Sequence, residues 1–507
     1  MKPDYGPTIM KHELGEFGML DAILSAGTVT AQGQFIGGGW VPAGTRSVIE
    51  VDNPADESII ATIPEGTAED AAAAIEAAAA AGPAWAALPP IERAGWVRKL
   101  AAAVEANADA LARIVTTEQG KPLDQAHGEV GAVLTFLTHA AEAARRIEGE
   151  IVASDNRDEE ILIRRHPYGV VVGLTAWNYP MALAARKLGP ALVAGNTFVL
   201  LGHEITPLSG LALAKLAESI GLPKGVFNVV TGRGPVVGQT MVEHAKTSLV
   251  TMTGSTRAGQ QIFRAGAEGL KVLRLELGGK APFIVMPGCD IDTAVAAAVT
   301  ARYTNCGQIC TCNERMYLHD SLAQEFLEKF TAASAALTVG NPMDKVDIGP
   351  KVSRLEVDKV ADMIARGRDA GAEVLLEGGP LRDGAYAKGH WIAPTVLEVR
   401  DNAAPTIQEE VFGPVATALR VSSFDEAIAC ANDTPYGLSA YLWSGDAKQL
   451  ARAPHELKFG ELYINRANGE AVQGFHTGWG HSGLGGEDGR HGFDGYLRKQ
   501  TTYNFWG

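Results

Sequence analysis

From Gly169 onward the chain alternates short β-branched runs with alanine- and leucine-rich runs, and this alternation constrains the fold more than any other feature. The runs Val170 to Leu174, Thr197 to Leu201, Val226 to Val230 and Leu249 to Met252 have the length and composition of strands. Between them lie Ala182 to Ala194, Pro207 to Ile220 and Pro235 to Ala245, each long enough to return the chain to the next strand of a parallel sheet. Repeated βαβ units of this kind specify an α/β fold with a doubly wound sheet. After Glu276 the pattern recurs and predicts a second α/β domain, with strands at Phe283 to Met286 and Val374 to Leu376 and helices at Ala294 to Tyr303 and Leu322 to Leu337. Upstream, the alanine-rich run Ala68 to Ala81 reads as a helix closed by Pro83. Ile91 to Ala112 reads as another, with Trp96, Val97, Leu100, Val104 and Leu111 at one-face spacing. The polar-apolar alternations Glu159 to Arg165 and Tyr496 to Tyr503 are expected to be exposed strands that pair between subunits, or else plain edge strands.

Charge narrows the function. With 59 acidic and 44 basic residues the 507-residue chain carries a net charge of −15, so it lacks the phosphate-neutralising surface of a nucleic-acid binder. The five cysteines, three of them within Cys306 to Cys312, are too few for a disulfide framework and predict a reducing, cytoplasmic compartment. Met1 to Thr30 lacks the basic start and apolar stretch of a secretory signal and is expected to be a tail or arm. Apolar runs such as Leu192 to Leu201 are broken by Gly195 and Asn196, so no membrane span is expected.

Four clusters could carry chemistry. Gly232-Arg-Gly234-Pro-Val-Val-Gly238 is a glycine-rich turn between strand and helix that could admit a dinucleotide, although it is one residue longer than the usual fingerprint and would equally serve as a tight turn. Glu204, just past a strand end, could accept hydrogen bonds from ribose hydroxyls and repel the extra phosphate of NADP, or could be a helix-start acid before Pro207. In Asn305-Cys306-Gly307-Gln308-Ile309-Cys310-Thr311-Cys312, Cys310 is the candidate nucleophile, because a glycine-containing turn at a helix end can expose a thiol and lower its pKa. Cys310 and Cys312 are too close in sequence for a standard zinc pair, and no metal site is expected. In Leu275-Glu276-Leu277-Gly278-Gly279-Lys280, Glu276 among apolar residues could have a raised pKa and act as a general base, or be a solvated loop acid.

The chain resembles the aldehyde dehydrogenase superfamily from about Phe35 to Tyr503. The resemblance is carried by Ala176-Trp177-Asn178-Tyr179-Pro180, Thr253-Gly254-Ser255-Thr256, Leu275 to Lys280, Gly307-Gln308-Ile309-Cys310, Glu410-Val411-Phe412-Gly413-Pro414 and Ser482-Gly483-Leu484-Gly485. It implies two Rossmann-like domains with a small β oligomerisation element. An extension would occupy residues 1–30, an NAD-binding domain 31–149 and 167–275, a catalytic domain 276–468, and oligomerisation strands 150–166 and 490–507. It also implies that Cys310 attacks an aldehyde, that Asn178 and the Cys310 N–H hold the oxyanion, and that Glu276 activates the water that hydrolyses a thioester. Cofactor contacts implied in the same way are Ala176, Trp177, Glu204, Gly234, Gly254, Ser255, Leu277, Glu410 and Phe412, with NAD preferred to NADP. A homodimer or homotetramer is expected.

Within the superfamily, Phe459 to Arg466 and Gln473 to Trp479 resemble lactaldehyde and glycolaldehyde dehydrogenases, and succinate-semialdehyde enzymes come next. This implies substrate contacts from Arg186, Thr311, Glu470 and His476, and a short polar hydroxy- or carboxy-aldehyde as substrate. Arg186 could instead be a structural ion pair, and Thr311 stands where an asparagine is usual. Two alternatives are a CoA-acylating enzyme, which Glu276 argues against, and a weakened family member kept as a binding or oligomeric partner. The second follows from a departure: before Glu204, similar enzymes carry lysine-proline-serine, and this chain has Leu201-Gly202-His203. Loss of a charge-assisted bond costs about 1.5–3 kcal/mol, so Leu201→Lys is expected to tighten NAD binding about tenfold or more in a direct titration. Unchanged affinity would show that the missing lysine is compensated.

Overall fold

Five parallel strands, Val170–Leu174, Thr197–Leu201, Phe227–Val230, Thr247–Thr253 and Val272–Glu276, form the centre of the larger sheet in the computed structural model of the chain, which describes residues 30–507. The arm expected over Met1 to Thr30 lies, but for its last residue, outside the described residues. The first strand of the series, Val170–Leu174, lies between Thr197–Leu201 and Thr247–Thr253, and succession runs outward on both sides. The winding therefore reverses at the carboxyl ends of Val170–Leu174 and Thr247–Thr253, where such sheets open a crevice for ligands. Antiparallel strands Gln34–Ile36 and Gly39–Val41 extend one edge and Gly483–Leu484 the other. The strands Val170–Leu174, Thr197–Leu201 and Phe227–Val230 are buried along their whole length, which is why they read as continuous apolar runs. Gly173 lets the Phe198 ring lie across the sheet, since a Cβ there would come within 2.3 Å of the ring.

The second sheet runs Glu373–Leu376, Thr395–Val399, Val415–Val421, Asn313–His319, Ala281–Val285, Ser439–Trp443, Glu461–Ile464, parallel except for its first strand. The two sheets join directly, because the chain passes from Val272–Glu276 in the first to Ala281–Val285 in the second. Among the described residues no single helix is long and apolar enough to cross a membrane.

Several expectations need correction. The first helix runs Ala68–Ala87, straight through Pro83, because Trp85 beyond it is buried and donates its indole N–H to Leu192 O at 3.0 Å. Tertiary packing there outweighs the missing backbone bond. The span Ile91 to Ala112 is split into Pro90–Ala106 and Ala108–Gln119 at Asn107, whose side-chain amide donates back to Ala103 O at 2.8 Å. Pro235 to Ala245 is a π-helical turn, Gly234–Gly238, followed by the short helix Gln239–Glu243. Glu159–Pro167 and Leu497–Phe505 pair antiparallel with each other within the chain, residue for residue from Glu159 opposite Phe505 to Pro167 opposite Leu497. Glu150–Val152 completes that sheet, so any pairing with another subunit falls to the outer strands.

The helix Pro180–Ala194, which carries Asn178 at its threshold, is fixed at its far end by Arg93. Arg93 is buried and donates to Val193 O at 3.0 Å and Ala86 O at 3.1 Å. Arg93→Ala is expected to lower unfolding free energy by about 1.5–3 kcal/mol in a denaturant titration, the range for hydrogen bonds from a charged group. A change within error would mean that water satisfies those carbonyls.

Candidate active site

A cavity of about 1750 Å³ lies at the reversal point of the first sheet and reaches across to the second. Cys310, Thr311, Asn178, Arg186 and Glu470 line one part of it. Ala176, Trp177, Glu204, Gly234, Gly254 and Ser255 line another, with Leu277, Glu410 and Phe412.

The turn leading to Cys310 begins where the helix Ile291–Tyr303 ends. Asn305, Cys306 and Gly307 take consecutive left-handed conformations, with φ of 52°, 56° and 72°. Each non-glycine residue in that region costs about 1–2 kcal/mol, so the turn must be held by its surroundings. The Asn305 N–H donates to Gln125 Oε1 at 2.8 Å, Gln308 Nε2 donates to Asn305 O at 2.9 Å, and Arg302 donates to Gly307 O at 2.9 Å. Gly307 is required by space as well, since a Cβ would sit 2.5 Å from Gly413 O. The Asn305 side chain donates to Asn178 O at 3.0 Å, tying the turn to the chain that leaves the first sheet.

Asn178 O also accepts from Lys121 Nζ at 2.8 Å. Lys121 is ion-paired with Glu129, whose other oxygen caps the helix Pro180–Ala194 by accepting from the N–H groups of Met181 and Ala182. The Asn178 Nδ2 group donates to Gln308 O at 3.0 Å, and an amide has a second N–H to offer a ligand.

Of the thiols, Cys306 and Cys312 are buried, and burial pushes them up to about 12 and about 11 respectively. Cys310 is partly exposed on the cavity wall. Burial raises its pKa, and the nearby His476 opposes the rise. Glu276 ends the strand Val272–Glu276 and is set back from the cavity, whose wall its neighbours Leu277 and Gly278 form. Burial pushes its carboxyl up to about 8, and among the described residues neither oxygen has a hydrogen-bond partner. The nearest cationic atom to it is His476 Nε2, at 3.5 Å from Oε2.

Arg186 differs from a free anion receptor. Its guanidinium is gripped on two nitrogens by Asp488 and lies 3.1 Å from Glu470 and 3.4 Å from Glu487, stacked 5.1 Å from the Phe136 ring. Lys187 beside it pairs with Glu487 and donates to Thr253 Oγ1 at 2.8 Å. Thr311 is buried, and its carbonyl accepts from Tyr441 Oη. Glu461, Glu470 and His476 place three ligand atoms within 4.8 Å of one another, a grouping in which the imidazole already serves both carboxylates as their cation.

The remainder of the cavity fits a dinucleotide. Ser255 caps the helix Thr256–Ala267, accepting from Ala258 N–H at 3.2 Å, and that helix start faces the cavity beside Gly254, as an anionic pyrophosphate requires. Glu204 lines the wall past the strand Thr197–Leu201, with His203 Nδ1 at 3.7 Å in the place left by the Leu201-Gly202-His203 departure. Phe412 holds a left-handed φ of 53°, and Trp177 meets its ring edge-on at 5.4 Å. That strained loop is held by Glu314, which accepts from the N–H groups of Val411 and Phe412 at 2.8 and 2.7 Å, and by Lys351, which donates to Phe412 O. Glu410 accepts from Gly279 N–H at 2.8 Å.

Residues the sequence did not single out are the supports: Lys121, Glu129, Glu314, Lys351, Glu461, Glu487 and Asp488. Only Glu314 leaves a trace, as a charge inside an otherwise strand-like run beside Arg315.

Comparison with known proteins places this geometry among relatives. The sequence model of the aldehyde dehydrogenase family matches residues 40–502. The chain is 44% identical over 470 residues to the 3,6-anhydro-alpha-L-galactose dehydrogenase of Vibrio sp. (strain EJY3), covering 92% of this chain and 98% of that one. It is 43% identical over 458 residues to the lactaldehyde dehydrogenase of Escherichia coli (strain K12), covering 90% and 95%. A solved structure of lactaldehyde dehydrogenase superposes with a TM-score of 0.92 at 41% identity, covering 94% of this chain and 100% of that one.

The Asn305 side chain is expected to set the distance between nucleophile and oxyanion donor. Asn305→Gly keeps the left-handed backbone without strain and removes that link together with two longer side-chain contacts to Gln308, at 3.4 and 3.5 Å. Its kcat is expected to fall about 10- to 100-fold with little change in stability, the cost of displacing a reacting group by about an ångström. Wild-type turnover in this variant would show that the link is dispensable.

Proposed function

The chain belongs to the aldehyde dehydrogenase family, and on that premise we propose that it oxidises a short, neutral, hydroxyl-bearing aldehyde to the carboxylic acid, with NAD as the hydride acceptor. The observation that carries the choice of substrate is the state of Arg186. Three carboxylates, Asp488, Glu470 and Glu487, occupy its guanidinium, so it has no charge to spare for a substrate carboxylate. Glu470 on the cavity wall further repels an anionic substrate and suits a hydroxyl donor. Glu204 supports NAD over NADP, since a carboxylate beside the ribose disfavours a 2′-phosphate.

The residues divide the reaction among them. The Cys310 thiolate adds to the aldehyde carbon, and the free N–H of the Asn178 amide with the Cys310 backbone N–H takes the charge that forms on oxygen. NAD(P), held by Gly254, Ser255, Glu204, Glu410 and Phe412, supplies when bound the hydride acceptor that turns the Cys310 adduct into a thioester. Glu276 then takes a proton from water, which displaces the acid from sulfur. The burial that raises the Glu276 carboxyl makes it a base matched to near-neutral pH.

The same proposal covers assembly and location. The outer strands Glu150–Val152 and Leu497–Phe505 carry exposed Ile151, Tyr503 and Phe505, with Trp506 just beyond, and an apolar edge of this kind suits a homodimer or homotetramer. Five unpaired cysteines suit the cytoplasm.

Two outcomes are expected. In NADH-formation assays without CoA, glycolaldehyde and lactaldehyde should exceed succinate semialdehyde, hexanal and benzaldehyde by about tenfold or more in kcat/KM, because burying an unmatched group costs at least 1–2 kcal/mol. Preference for the semialdehyde would show that Arg186 is released to bind it, and strict need for CoA would mean that a thiol accepts the acyl group. Since Glu276 acts only when deprotonated, hydrolysis should speed up with rising pH through about 8 and level off above it. Glu276→Gln should remove that limb, and a limb that persists would assign the base elsewhere.

A further inference from the structure

Asp488 holds a backbone conformation that residues of its kind avoid. Its φ of 64° and ψ of 172° fall in a region that belongs almost wholly to glycine. It stands directly before the helix Gly489–Asp494, where an aspartate ordinarily accepts from the first backbone N–H groups, yet its side chain makes no such bond. The carboxylate is turned to Arg186 instead, one oxygen accepting from Nε at 3.0 Å and the other from Nη2. Neighbours fix the strained residue on both sides: Glu487 N–H donates to His476 O at 2.7 Å and Gly489 N–H to Val472 O at 2.9 Å. Gly489 lies so close to the facing strand of chain that a Cβ there would sit 2.2 Å from Gly474 O. The Asp488 side chain is buried and does not line the cavity, whereas Arg186 and Glu470 do, so the grip on Arg186 comes from behind the wall.

We propose that Asp488 is the positioning residue that bars carboxylate-bearing aldehydes from the site, by taking the donors of Arg186. An arginine binds a carboxylate through two adjacent nitrogens, and both of its forks, Nε with Nη2 and Nη1 with Nη2, share Nη2. Asp488 fills the first fork, and Glu470, 3.1 Å from Nη2, stands across the second. Glu487 lies 3.4 Å from Nε but is matched by Lys187. Among the described residues Arg186 is the sole ion-pair partner of Asp488, so their charges cancel and leave Glu470 to set the sign of the wall. The other cation near Glu470 is His476, at 3.7 Å, which is shared with Glu461 at 3.0 Å. The resemblance groups His476 with the substrate contacts, but it too is buried and does not line the cavity. A substrate carboxylate therefore meets occupied donors with an acid beside them, whereas a hydroxyl needs one acceptor, which Glu470 offers. The inference rests on the reading of the substrate as an uncharged hydroxyaldehyde and goes past it by naming the residue that enforces the choice from outside the cavity.

The test is the ratio of kcat/KM for succinate semialdehyde to kcat/KM for glycolaldehyde, measured in wild type, Asp488→Gly and Asp488→Asn, with thermal melting as the check on folding. Asp488→Gly removes the carboxylate and suits the backbone it leaves. Asp488→Asn removes the charge and keeps an acceptor for Nε. In Asp488→Gly the ratio should rise about tenfold or more over wild type, the scale on which a charge-assisted hydrogen bond counts. In Asp488→Asn it should rise by less, since the amide still occupies part of the fork, and this variant carries the test alone if Asp488→Gly does not fold. A wild-type ratio in folded Asp488→Gly or, failing that, in Asp488→Asn overturns the proposal. An equal loss of activity on both aldehydes does so too, because a merely structural residue would not discriminate between them. The value of the ratio in wild type judges the substrate reading, and only its change from wild type to variant judges Asp488. A wild type that prefers the semialdehyde would therefore defeat the first without deciding the second.

Discussion

The hydrogen bond from Asn305 Nδ2 to Asn178 O, at 3.0 Å, joins the two halves of the active site. Asn178 follows a strand of the first sheet, and Asn305 follows a helix packed on the second. Neither sheet alone could set the distance between the sulfur and the amide that are proposed to face one substrate atom. The bond is made possible by a left-handed turn that would be unfavourable by itself, and Gln125, Gln308 and Arg302 hold that turn in place. Left-handed strain sits at Asn305 and Cys306, buried behind one wall, and at Phe412 on the other.

Buried charge follows the same logic. Lys121 pairs with Glu129, Lys280 with Glu314 and Lys187 with Glu487, and each carboxylate also holds a backbone or side-chain donor near the cavity. Such pairs stabilise little after desolvation, but breaking one leaves an unpaired charge that the interior cannot tolerate, so they fix the walls in one arrangement. Glu276 is the exception. Among the described residues neither of its oxygens has a hydrogen-bond partner, and burial raises its pKa to about 8.

Much of the first sheet was legible in the sequence because its strands are buried on both faces and therefore uniformly apolar. Cys310 and Glu276 drew notice through their local motifs, and Asn178 through the resemblance to the family. The fate of Arg186 was not, since Asp488 lies 302 positions away along the chain and nothing near Arg186 announces it. The passage of a helix through Pro83 was hidden for a similar reason, as the bond that secures Trp85 comes from Leu192. Pairing of Glu159–Pro167 with Leu497–Phe505 likewise depends on a partner far away along the chain. Local pattern specifies elements, and distant partners decide which side chains remain available for chemistry.

The central claim is that a single sulfur carries the substrate through oxidation. Mixing enzyme, NAD and glycolaldehyde, quenching in acid during turnover and mapping peptides by mass spectrometry tests it directly. The acyl mass should appear on the peptide containing Cys310, only when NAD is present, and should vanish as turnover completes. An acyl group on any other residue, or a full burst of NADH with no protein-bound acyl group at any quench time, would contradict the account.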